Sequence, residues 1–310
     1  MTEFVINCCT ITPVREKPAE GSEQLTQLLF GEVCEVLDRL SRWTKIRSTV
    51  DGQEGWVDFK MIKSVEITEK EELSSYVVAV PTAIATDQEK YEEYILTMGT
   101  RLSKYANGFF EVAGVRYRIS PDKVNRVLFS NPLLSPCMQK LPPLEELPSD
   151  VKSQIVRMAA VSLLNTPYLW GGKSALGMDC SGFTQVVYSL LGVNLLRNAR
   201  EQITQGTLVA SLADVQSGDL AFFDHVDRDP KATNISHVGL LLDNKKIIHC
   251  SGCVHVDDID EMGIHSPDGE LTHHLVQIRP GHPVPPAPNR FRKSSAAPAP
   301  PSVSMPTAPR

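Results

Sequence analysis

The chain has 310 residues, a formal net charge of −6, and 22% charged residues of both signs. Ordinary domains take roughly 100–200 residues, so more than one is expected. The mixed, mildly acidic charge lacks the basic stripe of a nucleic-acid binder, and no apolar run reaches the ~18–20 residues of a membrane span. Seven cysteines, an odd number in a chain long enough to hold a core unaided, suit a reducing compartment. Met1 to Cys9 shows no basic-then-apolar leader pattern. A cytoplasmic monomer is therefore expected, with a periplasmic or secreted location as the alternative.

The first segment, residues 1–65, reads as short strands separated by turns. Val33 to Leu37 and Trp43 to Arg47 alternate, Asp51-Gly52 marks a turn, and Gly55-Trp56-Val57 restarts a strand. Such spacing predicts a small barrel. Residues 66–148 look like a weaker copy plus a connector. Tyr76 to Val80 is strand-like, Phe109 to Val112 and Val115 to Ile119 read as a hairpin, and Pro132, Pro136, Pro142, Pro143 and Pro148 follow.

In residues 149–283, Ser149 or Asp150 can cap a helix with apolar positions Val151, Ile155, Met158 and Ala159, ended by Pro167. A second helix is predicted over residues 181–191, with Gly192 as its C-terminal cap. Strands follow at residues 219–223, 237–242 and 246–250. Helices before antiparallel strands predict an α+β domain. Residues 284–310, rich in Pro, Ala and Ser, are expected to be disordered.

Cys180 falls at the first turn of the second helix, after a loop holding Gly171, Gly172 and Gly177. Unpaired N–H groups and positive charge at a helix N-terminus are expected to favour a thiolate and can hold an oxyanion. The polar Asp179-Cys180-Ser181-Gly182 setting is not that of a core cysteine. A cysteine nucleophile needs a base, and the base needs an orienting partner. His237 and His249, twelve residues apart on successive strands, supply the pair. The competing pattern is metal binding through His249, Cys250, Cys253 and His255, but no second cysteine pair at zinc-finger spacing accompanies it.

The ordered set Tyr168-Leu-Trp-Gly-Gly172, Asp179-Cys-Ser-Gly-Phe183, Gly218-Asp219-Leu220, His237-Val-Gly239 and Ile248-His249 resembles the NlpC/p60 cysteine peptidases. Val14-Arg15, Gln24 to Glu32, Trp43 and Gly55-Trp56-Val57 resemble a bacterial SH3-like domain. Two such domains ahead of the catalytic one resemble the YkfC-like subgroup. The resemblance implies a papain-like domain that needs no metal or other cofactor. Its implied reaction is hydrolysis of the γ-D-glutamyl–diamino acid bond in peptidoglycan-derived peptides bearing a free L-alanine. It implies Cys180 as nucleophile, His237 as base and His249 as third catalytic residue. It gives Tyr168 a part in the oxyanion hole and places Trp170, Asp179 and Ser181 along the substrate cleft.

Three departures bear on specificity. Asn198 stands where the family commonly has an aspartate suited to an ammonium group, Leu196 replaces a proline, and Gln53 replaces a tyrosine before the Gly-Trp of the barrel. Asp179, with Asn198, is expected to hold the substrate's ammonium. The alternatives are a papain-like amidase or acyltransferase of altered specificity, and a non-catalytic wall-binding protein.

Strand parity adds a geometric requirement. Side chains alternate along a strand, and residues paired across a ladder share a face. A two-residue turn at Asp243-Asn244 would put His237 and His249 on opposite faces. A three-residue loop, Asp243 to Lys245, would pair Gly239 with His249 and put both histidines on one face. That loop, closed by a residue in the left-handed region, or a bulge, is expected.

Overall fold

The computed structural model describes residues 2–66, 76–119, 138–140, 148–225 and 234–280. Most of the proline connector and the tail predicted to be disordered lie outside these residues.

The N-terminal segment is a seven-stranded antiparallel sheet. The expected strands run Val33–Arg39, Trp43–Ser48 and Glu54–Asp58, and the Asp51-Gly52 turn is made with Gly52 at φ +78°. Alternation buries Val14, Ile46 and Val57 with Leu28 and Cys34 on one face, giving the barrel its own core. Residues 76–119 form a four-stranded sheet in which Phe109–Val112 and Val115–Ile119 pair as the expected hairpin. Its Phe110 and Tyr117 pack on Phe30 of the first barrel, and one continuous apolar cluster runs from there to the helices of the third segment.

The third segment holds helices α1 (Ser149–Ser162), α2 (Cys180–Ser189) and the short α3 (Ala199–Gln202). The cap of α1 differs from expectation. Pro148 is the cap residue and no side chain caps the helix, because Ser149 and Asp150 already lie inside it; the Ser149 hydroxyl bonds Gln216 instead. Helix α2 is capped by Asp179, and Gly192 closes its C-terminal side at φ +74°.

Six strands then close a barrel, in the order Leu220–His225, His237–Leu241, Lys246–Ser251, Cys253–Ile259, Gly263–His265 and Leu271–Arg279. Its interior holds Ala221, Phe223, Leu241, Ile247, Ile259 and Ile264. The alternate residues Phe222, Val238, Leu240 and Ile248 pack with α1 and α2. The architecture is the expected α+β, and no described helix is long and apolar enough to cross a membrane.

Candidate active site

Cys180 is the first residue of α2 and is 8% exposed. The loop before it is held by close backbone approach: a Cβ on Gly182 would lie 2.1 Å from the Gly172 carbonyl oxygen, so only glycine fits there. Backbone N–H groups of Val238 and Ser181 point at the sulfur. Helix α2 thereby sets Cys180 against the strand that carries His237.

The electrostatics differ from the thiolate expected of a helix N-terminus. Burial pushes the Cys180 thiol up to about 12, with the Asp179 carboxylate beside it adding to the rise. The two N–H groups and the Arg197 guanidinium oppose this without overcoming it. Asp179 also takes the Gly182 N–H at 2.7 Å, which consumes part of the helix's positive end. Burial therefore favours the thiol over the thiolate at rest.

The hairpin bears out the parity argument. Gly239 pairs with His249, Leu240 with Ile248 and Leu241 with Ile247, leaving Asp243 to Lys245 in the loop. The closure has another cause than the expected left-handed residue, since none of the three has positive φ. The Asp243 carboxylate instead accepts the N–H groups of Lys245 (2.8 Å) and Lys246 (2.9 Å). Gly239 is required opposite His249, because a Cβ there would sit 2.8 Å from the His249 Cβ.

His237 and His249 meet edge to face, with Nε2 of the first 2.9 Å from Nδ1 of the second. Nε2 of His249 lies 3.1 Å from Asp257 Oδ2. A carboxylate only accepts, so the tautomers follow in order. His249 donates from Nε2 to Asp257 and accepts at Nδ1 from His237 Nε2–H. That leaves the lone pair of His237 on Nδ1, the nitrogen available to take a thiol proton. Burial, with neighbouring His249, His273, His225 and His255, holds the His237 imidazolium well below the ordinary histidine range. Burial raises Asp257, but the two histidines facing it bring it below the usual carboxylate value.

Nothing in the local pattern identifies Asp257. It shares the face of His249 because Gly252 makes a tight turn at φ +73°, so that His249 pairs with His255 and Ile247 with Asp257. His273, on the last strand, stacks on His237 with ring centroids 4.4 Å apart at 29°. Barrel closure, a long-range event, brings it there. Asp257→Asn is expected to lower kcat by about 10–100-fold, as for other outer partners of a functional histidine. KM and the melting temperature should change little. Steady-state kinetics check this, and a change confined to KM would remove Asp257 from the chain of hydrogen bonds.

The substrate-side assignments divide. Tyr168 is half-exposed, and burial with Cys180 nearby pushes its phenol well above the ordinary range, so it remains a hydrogen-bond donor. Trp170 is 61% exposed and is tied to the first barrel, donating from Nε1 to Glu23 (2.8 Å) and accepting at its carbonyl from Gln24 Nε2 (3.0 Å).

Asp179 is not placed to hold an ammonium. Its Oδ1 accepts from Gly182 N–H, the Ser181 hydroxyl (3.2 Å) and Arg197 Nη1 (3.0 Å), and its Oδ2 from Gly171 N–H (3.0 Å) and Arg197 Nη2 (2.6 Å). Both oxygens are spoken for, and the group is buried. Ser181 belongs to the same network, its hydroxyl accepting from Arg197 at 2.9 Å. Asn198 precedes α3 and donates from Nδ2 to Glu201 (2.9 Å). An aspartate there would face that carboxylate. Of the sequence-level metal cluster, Cys250 turns away and its thiol bonds the Met178 carbonyl, while His249 and His255 come together with Asp257.

Residues 165–268 match the NlpC/P60 family, and residues 12–63 match the bacterial SH3 domain. A γ-D-glutamyl-L-lysine dipeptidyl-peptidase of Bacillus cereus is 27% identical over 235 residues, covering 72% of this chain and 66% of that protein. One of Bacillus subtilis is 29% identical over 237 residues, covering 72% and 71%. The chain thus spans about two thirds of the length of these relatives. The crystal structure of an NlpC/P60 family protein from Bacillus cereus superposes with a TM-score of 0.71 at 18% identity, covering 90% of this chain and all of that one, and so shares the fold. Residues 165–268 are thus an NlpC/P60 family domain, and a bacterial SH3 domain lies ahead of it.

Proposed function

We propose that this chain hydrolyses the γ-D-glutamyl–diamino acid bond of peptidoglycan-derived peptides and releases an L-Ala-γ-D-Glu dipeptide. The observation that carries the reading is the hydrogen-bonded series His237–His249–Asp257, whose His237 directly precedes the Val238 that donates to Cys180. In the reaction, Cys180 Sγ attacks the scissile carbonyl as its proton passes to His237 Nδ1. The carbonyl oxygen becomes an oxyanion facing the Tyr168 phenol and the backbone N–H groups at the start of α2. His237 then protonates the leaving amine. Water deprotonated by His237 cleaves the thioester and restores the thiol.

Dipeptide release is supported by the named relatives and by the first barrel. The barrel binds the cleft loop at three points, through Glu23 and Gln24 on Trp170 and through Gln27, whose Oε1 accepts the Lys173 N–H at 2.9 Å. Such a wall favours a short substrate with a free end over a polymer. Soluble stem peptides in cytoplasmic recycling fit that preference.

The test is digestion of L-Ala-γ-D-Glu-L-Lys and its diaminopimelate counterpart, each with the alanine amine free or acetylated. Free peptides should be cleaved, and acetylation should lower kcat/KM by at least about tenfold, because the wall that the SH3-like domain sets against the Trp170 loop favours a short, uncapped end. Equal rates on free and capped peptides would make the enzyme an endopeptidase. No cleavage of either would favour an amidase or acyltransferase of different specificity, in line with Leu196, Asn198 and Gln53.

A further inference from the structure

The tight turn at Gly252 puts His249, His255 and Asp257 on one face of two paired strands. Nδ1 of His255 lies 2.8 Å from the Cys253 carbonyl oxygen. A carbonyl only accepts, so that nitrogen carries the ring's hydrogen. In the neutral ring Nε2 is then a lone pair, and it faces Asp257 Oδ2 at 3.1 Å. Two acceptors at that separation repel unless a cation stands between them, either a proton or a metal. The same carboxylate oxygen is 3.1 Å from His249 Nε2, and all three ligand atoms lie within 4.8 Å of one another.

These separations suit zinc. A tetrahedral Zn²⁺ with bonds of about 2.0–2.1 Å spaces its ligands about 3.3 Å apart. A hydrogen bond from the other ring nitrogen to a backbone carbonyl, as His255 makes, is the usual device that fixes a metal-ligating histidine. His255 is only half-buried, which gives an ion a way in, whereas His249 and Asp257 are buried. Two imidazoles and one carboxylate favour Zn²⁺ over the hard cations Mg²⁺ and Ca²⁺.

We propose that His249, His255 and Asp257 form a Zn²⁺ site whose occupation switches the active site off. The binding stands on geometry alone; the switch rests on the roles given above to His237 and His249. A metal on Nε2 of His249 takes the lone pair there, so the neutral ring carries its hydrogen on Nδ1. That hydrogen is donated to His237 Nε2, which must then accept. The hydrogen of His237 moves to Nδ1, and the lone pair that received the thiol proton is gone. One hydrogen shifts within each ring and none is lost from the pair. Cys180 is left as a thiol with no base.

The test uses the full-length chain. The Cys180→Ala variant, which cannot bind metal through the nucleophile, is titrated with ZnCl₂ against a chromophoric chelator. One Zn²⁺ per chain is expected, and adding His255→Gln should weaken binding by at least about tenfold. In the active protein, zinc should inhibit and EDTA should restore turnover. His255→Gln alone should keep the metal-free rate and need at least about tenfold more zinc for the same inhibition. Absence of binding in Cys180→Ala overturns the site. Equal inhibition of the wild type and His255→Gln also overturns it, placing the effect on the thiol. Tight binding with undiminished turnover overturns the switch and removes His249 from catalysis. The titration needs no substrate, so it reads out even if the proposed reaction fails.

Discussion

Cys180→Ala is expected to abolish hydrolysis with the fold intact. Loss of a covalent nucleophile from a comparable three-residue unit costs on the order of 10⁶ in kcat. His237→Ala should be nearly as damaging, because burial favours the thiol at rest and attack requires a group to take its proton. His249→Ala should cost less, since it orients the base and touches no reacting atom. The protonation states give the pH dependence its sign. Burial lowers His237, so the acid limb of kcat/KM should lie below the ordinary histidine range, and turnover should persist into mildly acid solution. Burial raises Cys180, so alkylation by iodoacetamide should be slow at neutral pH and accelerate as the pH rises. An alkylation rate that is flat between about pH 5 and 8 would instead reveal a resting thiolate–imidazolium pair. Near-wild-type turnover in Cys180→Ala would end the assignment altogether.

What the sequence made legible is what depends on local periodicity. The strands at Val33–Arg39 and Trp43–Ser48, helix α2 and the pairing of Gly239 with His249 all follow from alternation, a helical repeat or the parity of one short loop. Those suffice to place Cys180, His237 and His249. What escapes is set by contacts between distant segments. Asp257 needs the exact turn at Gly252, His273 needs a closed barrel, and the partner of Asp179 lies eighteen residues away in Arg197. The burial that works against the expected thiolate was hidden for a related reason. A helix N-terminus is visible in sequence, whereas the burial that outweighs it is not. Asp179 shows the same blindness: a carboxylate beside a nucleophile reads as a substrate contact until its donors are known.

Those donors lead to the second large effect. Arg197 is a fully buried side chain that makes two bonds to Asp179, one to Ser181 Oγ and one from Nε to Thr26 Oγ1 of the first barrel at 2.8 Å. The pair therefore holds the start of α2, the glycine loop and the SH3-like domain in register with Cys180. Arg197→Met keeps much of the volume but leaves the Asp179 carboxylate buried without its cation. Breaking one side of such a pair costs about 3–5 kcal/mol, a fall in melting temperature on the order of 10 °C for a domain of this size. Turnover should drop as well, because the nucleophile's helix loses its anchor. The double variant Asp179→Asn/Arg197→Met removes the stranded charge while an amide oxygen can still accept from Gly182 N–H as the helix cap. It should therefore melt above the single Arg197→Met variant. If Arg197→Met melts within a few degrees of the wild type, or if the double variant is the less stable of the two, the buried pair is not what fixes the nucleophile's helix.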